Sequence, residues 1–342
     1  MKPTSAKGSS NKRAGKGTGK GIAQAAARKG TGNRSATPRS GATRSAGGAS
    51  SGSSSGPSSG SSFSPRTGAK QFSSRGTGRT GRVTPTGEPP RAPKKTLGGE
   101  QVEGRQAVRE LLIAGKRRVR EIWVASDLDD NEIVADIVEI AKAERVQVQY
   151  VARKRLEAAA RTESPQGVIG YADGIPEADF ATLIKRVPGR VPFLVAVDGV
   201  TDPGNLGALL RSCDGAGVHA VVLPRHRAVH VTPTVAKAAA GAVEYVPMSM
   251  VGGLPQALAM MKEVGIWVVG LDDAADKDLF DIGDLAVEAI CLVMGAEGAG
   301  LSRLVRERCD MIVSIPMLGR LSSLNVSAAA ALATYEIARA RR

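Results

Sequence analysis

Acidic residues are almost absent from the first 95 positions, which carry 19 Lys and Arg against one carboxylate, Glu88. Aromatic side chains are scarce throughout, 3% of 342 residues, and Phe63 and Phe72 are the only two in that stretch. With 18 Gly and 18 Ser it cannot bury enough apolar surface to offset its chain entropy, which excludes a packed domain there. Cysteine is nearly missing as well. Cys213, Cys291 and Cys309 are odd in number and far apart, which excludes a disulfide framework and a CxxC zinc site and suits a reducing compartment, by default the cytoplasm. No apolar run approaches the roughly 20 residues of a membrane helix, so no membrane partner is expected. The basic N-terminus also lacks the apolar core of a secretory signal.

The net charge of +14 is therefore a basic arm on a slightly acidic body, since the other 247 residues hold 28 basic and 32 acidic side chains. Residues 1–96 read as a disordered Gly/Ser-rich arm whose spaced cations suit RNA phosphates through counterion release, or else as a solubilising extension. Residues 97–175 alternate helical and strand periods. Val108, Leu111 and Leu112 mark one helical face and Ile133, Ile137, Ile140 and Ala141 another, with strands expected at 121–125 and 146–151. Prolines 176, 188 and 192 bracket a linker over 176–190. From 191 to 342 strands alternate with helices. Strands are expected at 193–197, 220–223, 244–247, 266–271, 289–294 and 311–315, which predicts an α/β fold with a mostly parallel sheet. Such sheets bind ligands beyond the carboxyl ends of their strands.

Three loops at such ends carry the chemistry. In Asp198-Gly-Val-Thr-Asp-Pro-Gly-Asn205-Leu-Gly-Ala-Leu-Leu-Arg211, Asn205 is a good helix N-cap that leaves Arg211 about 9 Å further along the helix. Arg211 is by spacing alone equally a solvated residue or a partner of Asp214. In Met294-Gly295-Ala-Glu297-Gly298-Ala-Gly300-Leu-Ser302, three glycines permit close approach to a ligand, or simply a tight turn; no Lys follows, so it is not a Walker loop. In Ile315-Pro-Met-Leu-Gly-Arg-Leu-Ser-Ser323-Leu324-Asn325-Val-Ser327, the polar residues fit helix capping and equally a polar pocket. His219 reads as structural, His226 and His230 as an RNA-facing or a bland loop, and the three Cys as core.

The trio DPGNxGAxxR, MGAEGxGLS and IPMxGxxxSLNVSxAxxxxxYE, in this order, resembles the SpoU branch of the SPOUT RNA methyltransferases over about residues 97–342. Gly104-Arg105-Gln-Ala-Val108 together with Gln166-Gly-Val is similar to the L30e-like substrate domain of the ribosomal-RNA members, the 23S rRNA guanosine 2′-O-methyltransferase group of the TrmH family. The resemblance implies an L30e-like RNA-binding domain at 97–175 and a trefoil-knotted methyltransferase domain at 191–342. It further implies a homodimer, S-adenosylmethionine as methyl donor, and no metal. It assigns Gly295, Ile315 and Leu324 to the donor, Asn205, Arg211, Glu297, Ser323 and Asn325 to catalysis, and Gly104, Arg105, Lys237, Arg225 and Arg227 to RNA. Ala239, Ala299 and Pro165 stand where the family often has Ser, an acidic residue and His.

The implied reaction is an in-line displacement on a ribose 2′-hydroxyl, in which alignment supplies much of the acceleration. An arginine at the position of Arg211 is proposed in the family as general base; because a guanidinium remains cationic, anchoring a phosphate and stabilising the developing alkoxide is the more conservative role. The competing readings are methylation of tRNA or of another 23S nucleotide, and an inactive RNA-binding assembly factor.

Overall fold

The computed structural model describes residues 95–129, 131–226, 229–275 and 277–342. The expected arm, but for its last two residues, and the site residue Arg227 lie outside the described residues. The first elements are β1 (Gln101–Glu103), α1 (Arg105–Ala114), β2 (Val119–Ala125), α2 (Glu132–Ala143), β3 (Gln147–Val151), α3 (Arg153–Ala159) and β4 (Val168–Ala172). Their sheet runs β1-β4-β2-β3, with β4 antiparallel to both neighbours and β2 parallel to β3. The expected helical faces are realised: α1 buries Ala107, Val108, Leu111 and Leu112, and α2 buries Ile137 and Ala141.

The chain continues through α4 (Phe180–Leu183), β5 (Phe193–Val197), α5 (Pro203–Gly215), β6 (Ala220–Pro224), α6 (Pro233–Ala238), β7 (Met248–Val251), α7 (Leu254–Glu263), β8 (Trp267–Leu271), β9 (Lys277–Asp278), β10 (Ile290–Met294), α8 (Arg303–Arg306), β11 (Met311–Ser314) and α9 (Val326–Ala340). Seven strands form one sheet in the order β7-β6-β5-β10-β8-β11-β9, and every pairing in it is parallel. β5 (FLVAV) and β10 (ICLVM) are buried at every position, because a parallel strand covered on both faces has no solvent side to give to polar residues. The chain leaves β5 toward β7 on one side and crosses to β8 on the other, so the strand order reverses between β5 and β10. That switch point is where an open parallel sheet forms its binding crevice.

Two expectations are corrected. The strand predicted at 244–247 is displaced to Met248–Val251: Ala240 (φ 49°) and Gly241 (φ 92°) reverse the chain after α6, and a 3₁₀ turn, Ala242–Glu244, follows. In that turn Glu244 is paired with Arg117. The guanidinium of Arg117 donates to Glu244 Oε2 (2.9 Å) and Oε1 (2.5 Å), and to the carbonyls of Gly99 (2.5 Å) and Asp173 (2.7 Å), with both ionic side chains at most 3% exposed. Second, Asn205 is not the N-cap of α5. Asp202 is, its Oδ1 accepting from Asn205 N at 2.7 Å, because Pro203 has the fixed φ and missing N–H that suit the first helical position. The segment 176–190 carries α4, and its Ile184 is buried in the core on one face of the large sheet.

α5 and α6 meet at Gly207, where a Cβ would lie 2.5 Å from Ala238 Cβ and 2.7 Å from Val235 O. Any side chain there would push the two helices apart.

Candidate active site

The three loops converge at the carboxyl ends of β5, β8, β10 and β11. The loop after β10 folds back on itself: Ala296 and Gly300 exchange both backbone hydrogen bonds, at 3.0 and 2.9 Å. A Cβ on Gly295 would fall 2.4 Å from Gly300 C, and Gly298 (φ 72°) and Gly300 (φ 62°) both adopt the left-handed region. Glycine is required for this hairpin sterically, beyond any ligand.

Two carboxylates knit the loops together. Asp198, one residue beyond β5, accepts from Ser302 N at 2.8 Å. Asp272, one residue beyond β8, accepts from Leu301 N and Ala274 N, each at 3.1 Å, and pairs with Arg306 at 2.7 Å. Burial opposes ionisation of Asp272, but the Leu301 amide, Arg306 and the Ala274 amide outweigh it and hold the carboxyl below the usual carboxylate range.

Glu297 Oε1 is the hub. It accepts from Asn325 Nδ2 (2.5 Å), Asn205 Nδ2 (3.2 Å) and the backbone of Val326 (3.3 Å), while Asn325 Nδ2 also reaches Asn205 Oδ1 at 2.9 Å. Asn325 is the N-cap of α9, accepting at Oδ1 from Ser327 N (2.9 Å) and Oγ (2.5 Å). Its side chain thus orders the helix with its oxygen and the cluster with its nitrogen.

Beside the cluster lies a cavity of about 210 Å³ lined by Gly295, Ile315 and Leu324, as well as by Glu297 and Ser323. Its apolar wall comes from Leu271, Met294 and Val326, and Asp272 and Asp273 add carboxylates. The sequence reading passed over these two aspartates; their position directly after an apolar strand, at its carboxyl end, was the available signal. Arg211 is not brought into the cluster. It lies six positions beyond Asn205 on α5, which at 3.6 residues per turn places it about 120° around the helix. It is exposed, and among the described residues no hydrogen bond or ion pair engages its guanidinium, Asp214 included.

Gly104, Arg105 and Lys237 do come together. Arg105 donates through its backbone N to Gln166 Oε1 and through Nε to Gln166 O, both at 3.1 Å; Lys237 Nζ donates to Ser164 O, and its Cγ lies 3.4 Å from where a Cβ on Gly104 would stand. Arg225 has other partners, pairing with Glu177 (2.6 Å) and donating to the Met250 carbonyl (3.1 Å). His219 Nδ1 accepts from Phe193 N at 3.0 Å, a structural contact, while His226 and His230 are exposed. Burial pushes the thiols of Cys213 and Cys291 well up and that of Cys309 to about 12, which leaves all three inert at neutral pH. Among the described residues no group of three or more His, Cys, Asp or Glu side chains could hold a metal ion, and no helix is long and apolar enough to cross a membrane.

Residues 192–335 match the SpoU rRNA methylase family and residues 101–177 match the RNA 2′-O ribose methyltransferase substrate-binding family. The chain is 39% identical over 245 residues to a 23S rRNA (guanosine-2′-O-)-methyltransferase of Pectobacterium atrosepticum, covering 71% of this chain and 98% of that one. It is 38% identical over 245 residues to the Escherichia coli K12 protein of the same name, covering 71% and 99%. Among solved structures it is similar to the SpoU methyltransferase AviRb of Streptomyces viridochromogenes in complex with AdoMet, with 29% identity and a TM-score of 0.59 over 70% of this chain and 89% of that one.

Proposed function

The chain belongs to the SpoU rRNA methylase family, and from that premise we propose that it methylates an RNA ribose at the 2′-hydroxyl with S-adenosylmethionine as donor, the target being a guanosine of bacterial 23S rRNA. The observation that carries this reading is the Asn205–Glu297–Asn325 cluster, which bridges the switch point between β5 and β10 beside a half-apolar cavity beyond β8, β10 and β11.

The cavity fits the donor. Leu271, Ile315 and Leu324 offer apolar surface for a purine, and Asp273 adds a carboxylate to the lining, the charge of Asp272 being taken up by Arg306. When bound, the donor supplies an electrophilic methyl group. The residues supply position. Gly295, Ile315 and Leu324 bind the donor. Because Glu297 Oε1 already accepts three N–H groups, its work is to fix Asn205 and Asn325 as a polar platform for the sugar. Ser323 closes the rim between platform and cavity. Arg211 anchors the neighbouring phosphate and stabilises the oxygen as its proton departs to water.

The division into an L30e-like RNA-binding domain at 97–175, a linker at 176–190 and a methyltransferase domain at 191–342 is supported by the two separate family matches and the two separate sheets. The trefoil knot in the second of these domains is what the three-motif resemblance implies. The homodimer is supported by apolar side chains left exposed around the site: Leu318 (99%), Leu321 (76%), and Leu332 and Tyr335 on α9. A second chain against α5 and α9 also gives Arg211 a route to a cluster from which it is turned away in its own chain. In this reading Gly104, Arg105, Lys237, Arg225 and Arg227 serve RNA binding, the arm adds phosphate contacts, and the enzyme works in the cytoplasm.

Incubating the full chain with methyl-labelled S-adenosylmethionine and deproteinised ribosomal RNA or tRNA tests the reading. Label at one 2′-O-methylguanosine of 23S rRNA is expected, and label confined to tRNA overturns it.

A further inference from the structure

The loop between α3 and β4 is fastened at both ends. Its start is held by Glu103 of β1, 0% exposed, whose carboxylate accepts from Gln101 Nε2 (2.8 Å), Arg161 N (2.6 Å), Thr162 N (3.0 Å) and Thr162 Oγ1 (2.5 Å). Gln101 Nε2 also donates to Ala159 O at 2.8 Å. At its end Arg105 holds Gln166 and Lys237 holds Ser164. Burying a carboxylate is costly unless its oxygens are fully hydrogen-bonded, and here three of the four donors come from two consecutive residues of one turn.

What that turn displays is Arg161. It is exposed, and among the described residues no hydrogen bond or ion pair engages its guanidinium, although its backbone N–H is among the most firmly held in the loop. Arg161 lines a cavity of about 370 Å³. Gly99 to Gln101 form one side of this cavity, and Val231 to Thr234 with Pro203 form the other. Pro203 opens α5 two residues before Asn205, so the cavity runs from the small sheet to the start of the catalytic loop.

We propose that this cavity takes a nucleotide flanking the methylated residue and that Arg161 clamps its phosphate. The inference rests on the RNA methylation proposed above and names a contact of that substrate. A guanidinium with free N–H groups on a rigid backbone matches a phosphate in charge and in its forked geometry. At about 370 Å³ the cavity has room for a whole nucleotide beyond the phosphate itself, so a nucleotide is a better occupant than a bare phosphate ion. Preorganisation explains Glu103: a turn fixed before binding loses little entropy when the RNA arrives.

The test uses the full chain with Arg161→Ala, on the surface, and Glu103→Gln, which keeps the shape but replaces one acceptor oxygen by a donor. RNA affinity is read by fluorescence anisotropy with labelled 23S rRNA transcripts across a salt series, and turnover with the same RNA. Arg161→Ala raises the RNA Kd and KM about tenfold and lowers the salt slope by about one, while donor affinity and kcat at saturating RNA stay unchanged. Glu103→Gln moves RNA affinity in the same direction, and the double variant is no worse than Arg161→Ala alone. A wild-type Kd and salt slope in Arg161→Ala overturn the clamp. Because binding is read without turnover, absence of methylation by the parent chain counts against the proposed function and leaves the clamp to be judged by the anisotropy.

Discussion

Asn325 Nδ2 stands 2.5 Å from Glu297 Oε1, although the two residues are 28 apart in sequence and begin different structures, one a helix and the other a glycine hairpin. The contact makes the start of α9 and the floor of the site a single unit, so a change at either residue is felt in both stability and turnover.

Asn325→Asp separates the two roles. An aspartate still caps α9, but it sets a second carboxylate against Glu297. We expect kcat to fall at least a hundredfold and the urea midpoint to drop, with donor affinity by calorimetry within a few-fold of the parent. Asn325→Ala loses the cap as well, for about 1 kcal/mol.

Arg211→Ala abolishes methylation while donor binding survives. Mixing and refolding inactive Arg211→Ala chains with inactive Glu297→Ala chains then decides where Arg211 acts. If it serves the partner's site, mixed dimers carry one intact site and roughly a quarter of the activity returns. If it serves its own chain, none does.

Gly295→Ala forces a methyl into a space where Gly300 C would lie 2.4 Å away. The Ala296–Gly300 hairpin must open, and because it forms a wall of the cavity proposed for the donor we expect at least a tenfold loss in donor affinity by calorimetry and a smaller loss in melting temperature.

Arg117→Met leaves Glu244 buried and unpaired. Denaturant unfolding should show a loss of about 3–5 kcal/mol, and the double replacement Arg117→Met with Glu244→Leu should recover much of it, since a matched apolar pair incurs no desolvation penalty.

His219 sets a pH dependence. Burial, aided by the charges of Arg190 and Arg341, lowers its pKa from 6.5 to about 4, and protonation would break the bond that Nδ1 accepts from Phe193. The unfolded chain therefore takes up the proton first, and stability falls as pH drops from about 6.5 toward 4. Urea midpoints measured across that window should decline in the parent and stay flatter in His219→Gln.

Much of this architecture was legible in the residues. Parallel strands buried on both faces read as unbroken apolar runs, and so β5, β6, β8, β10 and β11 stand within a residue or two of expectation. The three loops were found because glycine and asparagine mark strand ends. The misses share a physical cause: each depends on a partner remote in the chain. β1 has only Val102 as an apolar residue, and its Glu103 is buried because of donors 58 and 59 residues on. Glu244, outside its expected strand, finds its partner in Arg117, 127 residues away. Asp272 gains its role only when Leu301 and Arg306 fold over it. The cap of α5 was a local choice between Asp202 and Asn205, and the proline between them decided it.

The most direct test of the central claim is nucleotide-resolution mapping of 2′-O-methylation in 23S rRNA from cells lacking this chain, complemented with the parent or with Asn325→Asp. Loss of one guanosine mark, restored by the parent and not by the variant, is the predicted result. A 23S methylation pattern unchanged by removal of the chain, or fully restored by Asn325→Asp, would contradict it.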